Sequence, residues 1–127
     1  MQNGKIFSEL SNKIIGCAIE VHRTIGPGLL ESSYQHCLAQ ELKINNIKFQ
    51  TEKPLHLNYK GVDLDCGYRI DFLVEDQLII ELKSVERLLP IHEAQILTYM
   101  KLAKIKQGLL INFNVELLKQ GLKSFVL

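Results

Sequence analysis

The chain carries no excess charge of either sign. Its 15 Lys and Arg stand against 14 Asp and Glu, a formal net charge of +1 over 127 residues. A protein that grips nucleic acid by bulk electrostatics is more basic than this, so any nucleic-acid surface here must be a local patch. Cysteine is also sparse. Cys17, Cys37 and Cys66 are odd in number, far apart and without a CxxC pair. That pattern argues against a disulfide framework and reads as reduced thiols of a cytoplasmic protein. His22, His36, His56 and His92 are equally scattered, which argues against a structural zinc site. No apolar run is long enough to span a bilayer, and Met1 to Asn12 is polar and mixed rather than signal-like. There is no internal repeat, no low-complexity tract and no obvious linker. What is present is an ordinary globular composition, 46% hydrophobic and 23% charged. The length suits one domain over residues 1–127, able to bury a single core without disulfide or metal staples.

The first half of the chain has a helical period. Ser8 to Ile25 places Leu10, Ile14, Cys17, Ala18 and Val21 on one face. Gly26-Pro27-Gly28 breaks it, and Leu29 to Ile44 resumes it through Leu30, Tyr34, Cys37, Leu38 and Leu42, closing at Asn45-Asn46. The middle alternates as strands do. Phe49 to Tyr59 is a strand of loose alternation, broken by Pro54, Lys60-Gly61 is a hairpin turn, and the strands Val62 to Val74 and Leu78 to Val85 follow. Leu78-Ile79-Ile80-Glu81-Leu82 is apolar on both faces, as a central sheet strand is. Leu89-Pro90 ends this block. Ile91 to Ala103 is helical, Gln107 to Phe113 is a second apolar strand, and Gly121 to Leu127 is a short edge strand. This order predicts an α/β sandwich, a mixed central sheet flanked by helices.

One position in the central strand is out of place. Glu81 interrupts an apolar run, and a buried unpaired carboxylate costs several kcal/mol or shifts its pKa, so it needs a partner or a metal. Lys83 lies two residues on and shares its face. Asp71 sits among large apolar residues in the preceding strand. The short link Glu75-Asp76-Gln77 makes the two strands an antiparallel pair, which sets Asp71 beside Glu81 across the ladder. Two neighbouring carboxylates repel unless a cation joins them, and Mg²⁺ suits such a pair. Lys83 would then orient a water or stabilise charge on a phosphate. The competing reading is a Glu81–Lys83 ion pair on a solvated sheet face, with Asp71 at a strand end.

A second pattern lies upstream: Gly28-Leu-Leu-Glu31-Ser-Ser-Tyr34. With Asp71…Glu81-Leu82-Lys83, it resembles the GxxExxY protein family, a group placed in the PD-(D/E)XK nuclease superfamily. The flanks are similar too: Ile25-Gly-Pro-Gly28, Gly67-Tyr68-Arg69, Leu89-Pro-Ile-His92-Glu-Ala-Gln95 and Gly108-Leu-Leu-Ile-Asn112-Phe113. The likeness runs from about Ile14 to Phe125. It implies a restriction-endonuclease-like fold and a nuclease that hydrolyses phosphodiester bonds of DNA or RNA with Mg²⁺, or Mn²⁺ in its place. It also implies roles. Asp71 and Glu81 would hold the metal with the Leu82 carbonyl, Lys83 would position the water, Glu31 would be an additional acid, and Gln95 and Tyr99 would lie near the nucleic-acid strand.

The supporting residues each admit a plainer reading. Glu31 and Tyr34 share a helix face, but Glu31 also complements a helix dipole and Tyr34 also suits a core. Gly26, Pro27 and Gly28 shape a turn, and a phosphate cradle is the alternative. His92 shares a helix face with Gln95 and Tyr99, yet a histidine there also serves as a cap. Arg69, Lys83, Arg87, Lys101, Lys104 and Lys106 are the cations able to track a phosphate backbone, and the usual reading of those away from the site is a solvated surface. The alternative function is a catalytically silent module that binds nucleic acid or protein on the same fold. A chain this small has limited surface for a duplex, so a homodimer is expected, with the sheet edges and Phe125-Val-Leu127 as contacts.

Overall fold

A computed structural model describes residues 2–3 and 8–127. The polar opening Met1 to Asn12 therefore falls partly outside the described residues. The elements run β1 (Gln2–Asn3), α1 (Glu9–Ile25), α2 (Glu31–Ile44), β2 (Phe49–Tyr59), β3 (Val62–Val74), β4 (Leu78–Lys83), α3 (Pro90–Ala103), β5 (Gln107–Asn112), a 3-10 turn (Leu118–Gly121) and β6 (Leu122–Val126). They form a six-stranded sheet in the order β1-β6-β5-β4-β3-β2. Only β4 and β5 are parallel, joined by the crossover through α3; the other pairs are antiparallel.

Helices cover both faces. On one side α1 and α2 bury Ile14, Ala18, Tyr34, Leu38 and Leu42 against Phe72, Ile80, Leu82, Leu109 and Ile111. On the other, α3 buries Ile96, Tyr99 and Met100 against Ile79, Leu110 and Phe125. The period of two along β4 assigns its residues: Ile80 and Leu82 face α1 and α2, while Ile79 faces α3, and with it Glu81 and Lys83. Gly108 lets α3 come this close, because a Cβ there would lie 2.6 Å from the Met100 sulfur.

The local causes are readable. Ser8 caps α1, its hydroxyl accepting the Ser11 N–H at 3.0 Å, and Gly26 at φ +71° closes it onto the His22 carbonyl. Lys60 and Gly61 both have positive φ, the geometry of a tight hairpin between the paired Tyr59 and Val62.

Several expectations need correction. Helix α2 begins at Glu31 rather than Leu29, and Leu30, expected on its apolar face, is the cap residue and 73% exposed. Strand β4 stops at Lys83, two residues early, because Val85 turns off to bond Asn112. Strand β2 keeps the expected bounds and the broken alternation: it is an edge strand, where proline is tolerated, and its register with β3 shifts between Leu55 and Leu57. Helix α3 starts at Pro90, and β5 ends at Asn112, one residue short. The last strand is not a free edge, since β1 pairs outside it, and Phe125 is buried rather than available for contacts.

Candidate functional site

The β3–β4 ladder pairs Val74 with Leu78, Leu73 with Ile79 and Phe72 with Ile80. The next step would set Asp71 opposite Glu81. There the backbone ladder gives way to side chains. The Asp71 N–H donates to Glu81 Oε2 at 2.9 Å, and the Leu82 N–H donates to Asp71 Oδ2 at 2.8 Å. Each carboxylate thus takes a main-chain donor from the other strand and is held in place by it. Among the described residues, no protein donor meets Asp71 Oδ1 or Glu81 Oε1, so one oxygen of each acid remains available.

Burial dominates the electrostatics of the pair. It pushes Glu81 up to about 8, with the adjacent Asp71 charge adding to the rise. Burial likewise raises Asp71 to about 6, against the lowering effect of the Leu82 N–H. The charge of Glu31 raises both, Glu52 raises Asp71, and Lys83 lowers both. The site is therefore short of positive charge for the negative charge it is built to hold.

Lys83 does not pair with Glu81. Its Nζ donates to Gln95 Oε1 at 3.0 Å, and Gln95 Nε2 donates to the Tyr99 hydroxyl at 3.2 Å. Glu81 is 4% exposed and among the described residues makes no ion pair, which removes the reading of a surface Glu–Lys bridge. One turn apart on α3, Gln95 and Tyr99 meet the strand face that carries Glu81 and Lys83.

The remaining residues fall into place unevenly. Tyr34 is core: it stacks on Phe113 at 4.5 Å, and its hydroxyl donates to the Gly26 carbonyl at 2.6 Å while accepting the Leu29 N–H at 3.2 Å. It ties down the Gly26-Pro27-Gly28 turn, from which Glu31 opens α2, exposed. Ser84 completes this link, its hydroxyl donating to the Leu29 carbonyl at 2.6 Å. The upstream turn is thereby fastened to the loop that follows Lys83, which brings the Glu31 charge within reach of the acids. His92 caps α3, its Nδ1 accepting the Leu89 N–H at 2.9 Å. Arg69 donates to the Tyr68 carbonyl and lies 3.6 Å from Asp65, so its charge is partly engaged away from the pair. Arg87 and Lys101 are exposed, as a solvated surface requires.

Three participants were missed. Tyr68 meets Tyr99 edge to face at 6.1 Å. Glu52, at φ +52° in β2, falls between the pairs Thr51–Phe72 and Lys53–Ile70, hence opposite Asp71. Asn112 accepts the Val85 N–H and donates to its carbonyl, fixing the loop after Lys83. Tyr68 and Asn112 lie in the quoted flanking motifs, but their roles, like that of Glu52, depend on which strands are neighbours.

For a divalent cation, the donors offered are two adjacent carboxylates, each with one oxygen open. Among the described residues there is no cluster of three or more His, Cys, Asp and Glu side chains that would hold a metal, so Glu31 does not join them. A hard ion that keeps several of its waters fits so small a donor set. No helix among the described residues is long and apolar enough to cross a membrane.

No curated protein and no solved structure gives a significant match to the chain. The profile of the PD-(D/E)XK nuclease superfamily matches residues 8–125, with Asp71, Glu81 and Lys83 inside the matched span. The three-helix α/β sandwich around a mixed sheet agrees with that fold, and the chain belongs to the PD-(D/E)XK nuclease superfamily.

Proposed function

We propose that this chain is a metal-dependent nuclease of the GxxExxY type, hydrolysing phosphodiester bonds of DNA or RNA. The observation that carries this reading is the Asp71–Glu81 pair, Glu81 buried and Asp71 half-buried, clamped by two backbone N–H groups with one oxygen of each acid left open. Burial raises both acids, the Asp71 charge raises Glu81 further, and folding retains them at a cost that a bound cation offsets. Asp71, Glu81 and the Leu82 carbonyl would hold Mg²⁺, with Mn²⁺ as a substitute, and the ion would polarise a phosphoryl oxygen and ease proton loss from water.

The protein's own groups do the positioning. Lys83 presents a cationic Nζ two residues from Glu81 on the same strand face, where it can orient the attacking water and stabilise charge on the phosphate. Gln95 holds that Nζ at 3.0 Å and is in turn bonded to Tyr99, so the ammonium is aimed by α3. Glu31 adds a second-side carboxylate whose field reaches both acids. Arg69 is the cation on β3 nearest in sequence to Asp71, suited to a backbone phosphate.

The near-neutral charge favours one competitor, a silent binding module. The test is cleavage of single- and double-stranded DNA and RNA with Mg²⁺ or Mn²⁺, Glu81→Ala beside the natural chain. Metal-dependent cutting that Glu81→Ala abolishes supports the nuclease. No cutting, with no metal binding by calorimetry, leaves the module. A homodimer that extends the groove would use the open β2 edge; a monomer by light scattering over a broad concentration range removes that idea.

A further inference from the structure

Beside the acid pair lies a cavity of ≈ 510 Å³ whose walls are largely apolar. Leu57 and Tyr68 form its β2–β3 side, and Ile91, Tyr99 and Leu102 form its α3 side. Lys83 and Gln95, already placed at the site, are also on its wall, so the cavity adjoins the strand face that carries Glu81. Lys83 is two residues from Glu81 along the strand, about 7 Å.

This wall is unusual for a nuclease surface that meets only phosphates, which needs cations and N–H donors. Tyr68 is 43% exposed and Ile91 68% exposed, and both turn apolar surface to a cleft that Lys83 also lines. The Tyr68 and Tyr99 rings stand at 63° to one another, so a flat group stacked on one meets the edge of the other. Tyr99 is held by Gln95 and only 7% exposed, so it stands as a fixed wall and the exposed Tyr68 ring offers the stacking surface. A cavity of this volume lies in the range of about 300–1,000 Å³ that small-molecule sites occupy. The ligand that combines a flat apolar face with an attached phosphate is a nucleotide.

We infer that this cavity receives an unpaired nucleobase of the strand whose phosphate lies at Asp71 and Glu81, which makes the substrate single-stranded nucleic acid. The inference rests on the nuclease reading above and names its substrate class. A base inside a duplex keeps both faces stacked on its neighbours and does not reach Tyr68. A single strand turns its bases outward freely, and aromatic stacking holds any base because each has a π face. The expected selectivity is therefore for strandedness rather than for sequence. Gln95 and Lys83 couple the two halves of the site: both line the base cavity, and Lys83 also lies on the strand face of Glu81.

The test uses 2-aminopurine, a fluorescent adenine analogue, placed singly in short oligonucleotides of DNA and of RNA, single-stranded or annealed. Binding is measured in the Glu81→Gln chain so that nothing is cut. The expected result is a saturable fluorescence change with single strands and a much weaker one with duplex. Tyr68→Ala and Ile91→Asp should each weaken binding by about tenfold or more, and Tyr68→Phe should restore it. Both positions are exposed, and circular dichroism checks that the variants are folded. Equal signals from single strand and duplex, no saturable signal from either, or indifference to Tyr68→Ala and Ile91→Asp would each overturn the inference. The DNA and RNA arms show which sugar the site accepts. Cleavage by the natural chain with Mg²⁺ is read separately. Cutting without the fluorescence result removes the base cavity and keeps the nuclease; the fluorescence result without any cutting keeps the cavity and removes the nuclease.

Discussion

Glu81 accepts the main-chain N–H of Asp71 at 2.9 Å, where the β3–β4 ladder would otherwise have continued. The hairpin thus spends its last cross-strand bonds on fixing two acids rather than on backbone pairing. This costs a rung of sheet and gives a carboxylate pair fixed by main-chain donors.

Neutralising either acid should separate activity from stability. In Glu81→Gln and Asp71→Asn, cleavage is expected to fall by about a hundredfold or more, since the charge that holds the cation is gone. Without metal at pH 8, the same variants should melt higher than the natural chain, because a buried charge penalty is removed, on the order of a few kcal/mol. Thermal melts in a chelator, beside the cleavage assay, check both halves. Variants that melt several degrees lower would show that the charges are stabilising as they stand.

The pH dependence follows from the raised values. Glu81 moves from 4.5 to about 8 and Asp71 from 3.8 to about 6 on folding. Over that window the folded chain binds more protons than the unfolded chain, so stability without metal should decline as pH rises from about 4 to 8. Metal requires the deprotonated pair. Added Mg²⁺ should therefore raise the melting temperature more at pH 8.5 than at pH 5.5. A metal effect of equal size at both values would contradict the assignment of these carboxylates as the ligands.

Lys83 is expected to act on the chemistry and on the acids together. Lys83→Met should lower kcat by about a hundredfold and push both carboxylates higher still, because Lys83 now lowers them. The pH–rate profile should shift to higher pH in Lys83→Met and in Gln95→Ala, less in the latter, which leaves the ammonium present but unaimed. An unmoved profile in both would argue that Lys83 merely covers the sheet.

Tyr34→Phe tests the support of the upstream turn. It removes the bonds to the Gly26 carbonyl and the Leu29 N–H while keeping the stack on Phe113. The expected cost is about 1–2 kcal/mol by urea unfolding, as buried hydrogen bonds go unmade. Because that turn carries Glu31, a Glu31→Gln substitution should matter less to activity in the Tyr34→Phe background than in the natural chain. Additive effects of the two substitutions would sever the proposed link.

The elements were legible because their causes are local. Ser8 and Gly26 punctuate α1 by bonds to their own helix, and Lys60-Gly61 makes its turn from two residues. Glu81 stood out because a carboxylate in an apolar run violates the pattern around it. The errors lie where neighbours decide. Leu30 reads as core until the chain is seen to enter α2 one residue later. Phe125 reads as a free tail until β6 is seen sandwiched between β5 and β1.

The sequence by itself determined which side chains were available for chemistry: two acids one hairpin apart, a lysine in phase with the second, and a glutamine and a tyrosine one helical turn apart. Those are questions of spacing, and the strand and helix periods answer them. Only the tertiary structure decided what each one does. It put Lys83 on Gln95 rather than on Glu81, sent Tyr34 into the core, made His92 a cap, and brought Tyr68 to Tyr99 from a strand no periodicity connects to α3. The physical reason is that partner choice is a contest between distant groups for the same donors and the same buried space, and a linear chain does not record who is near.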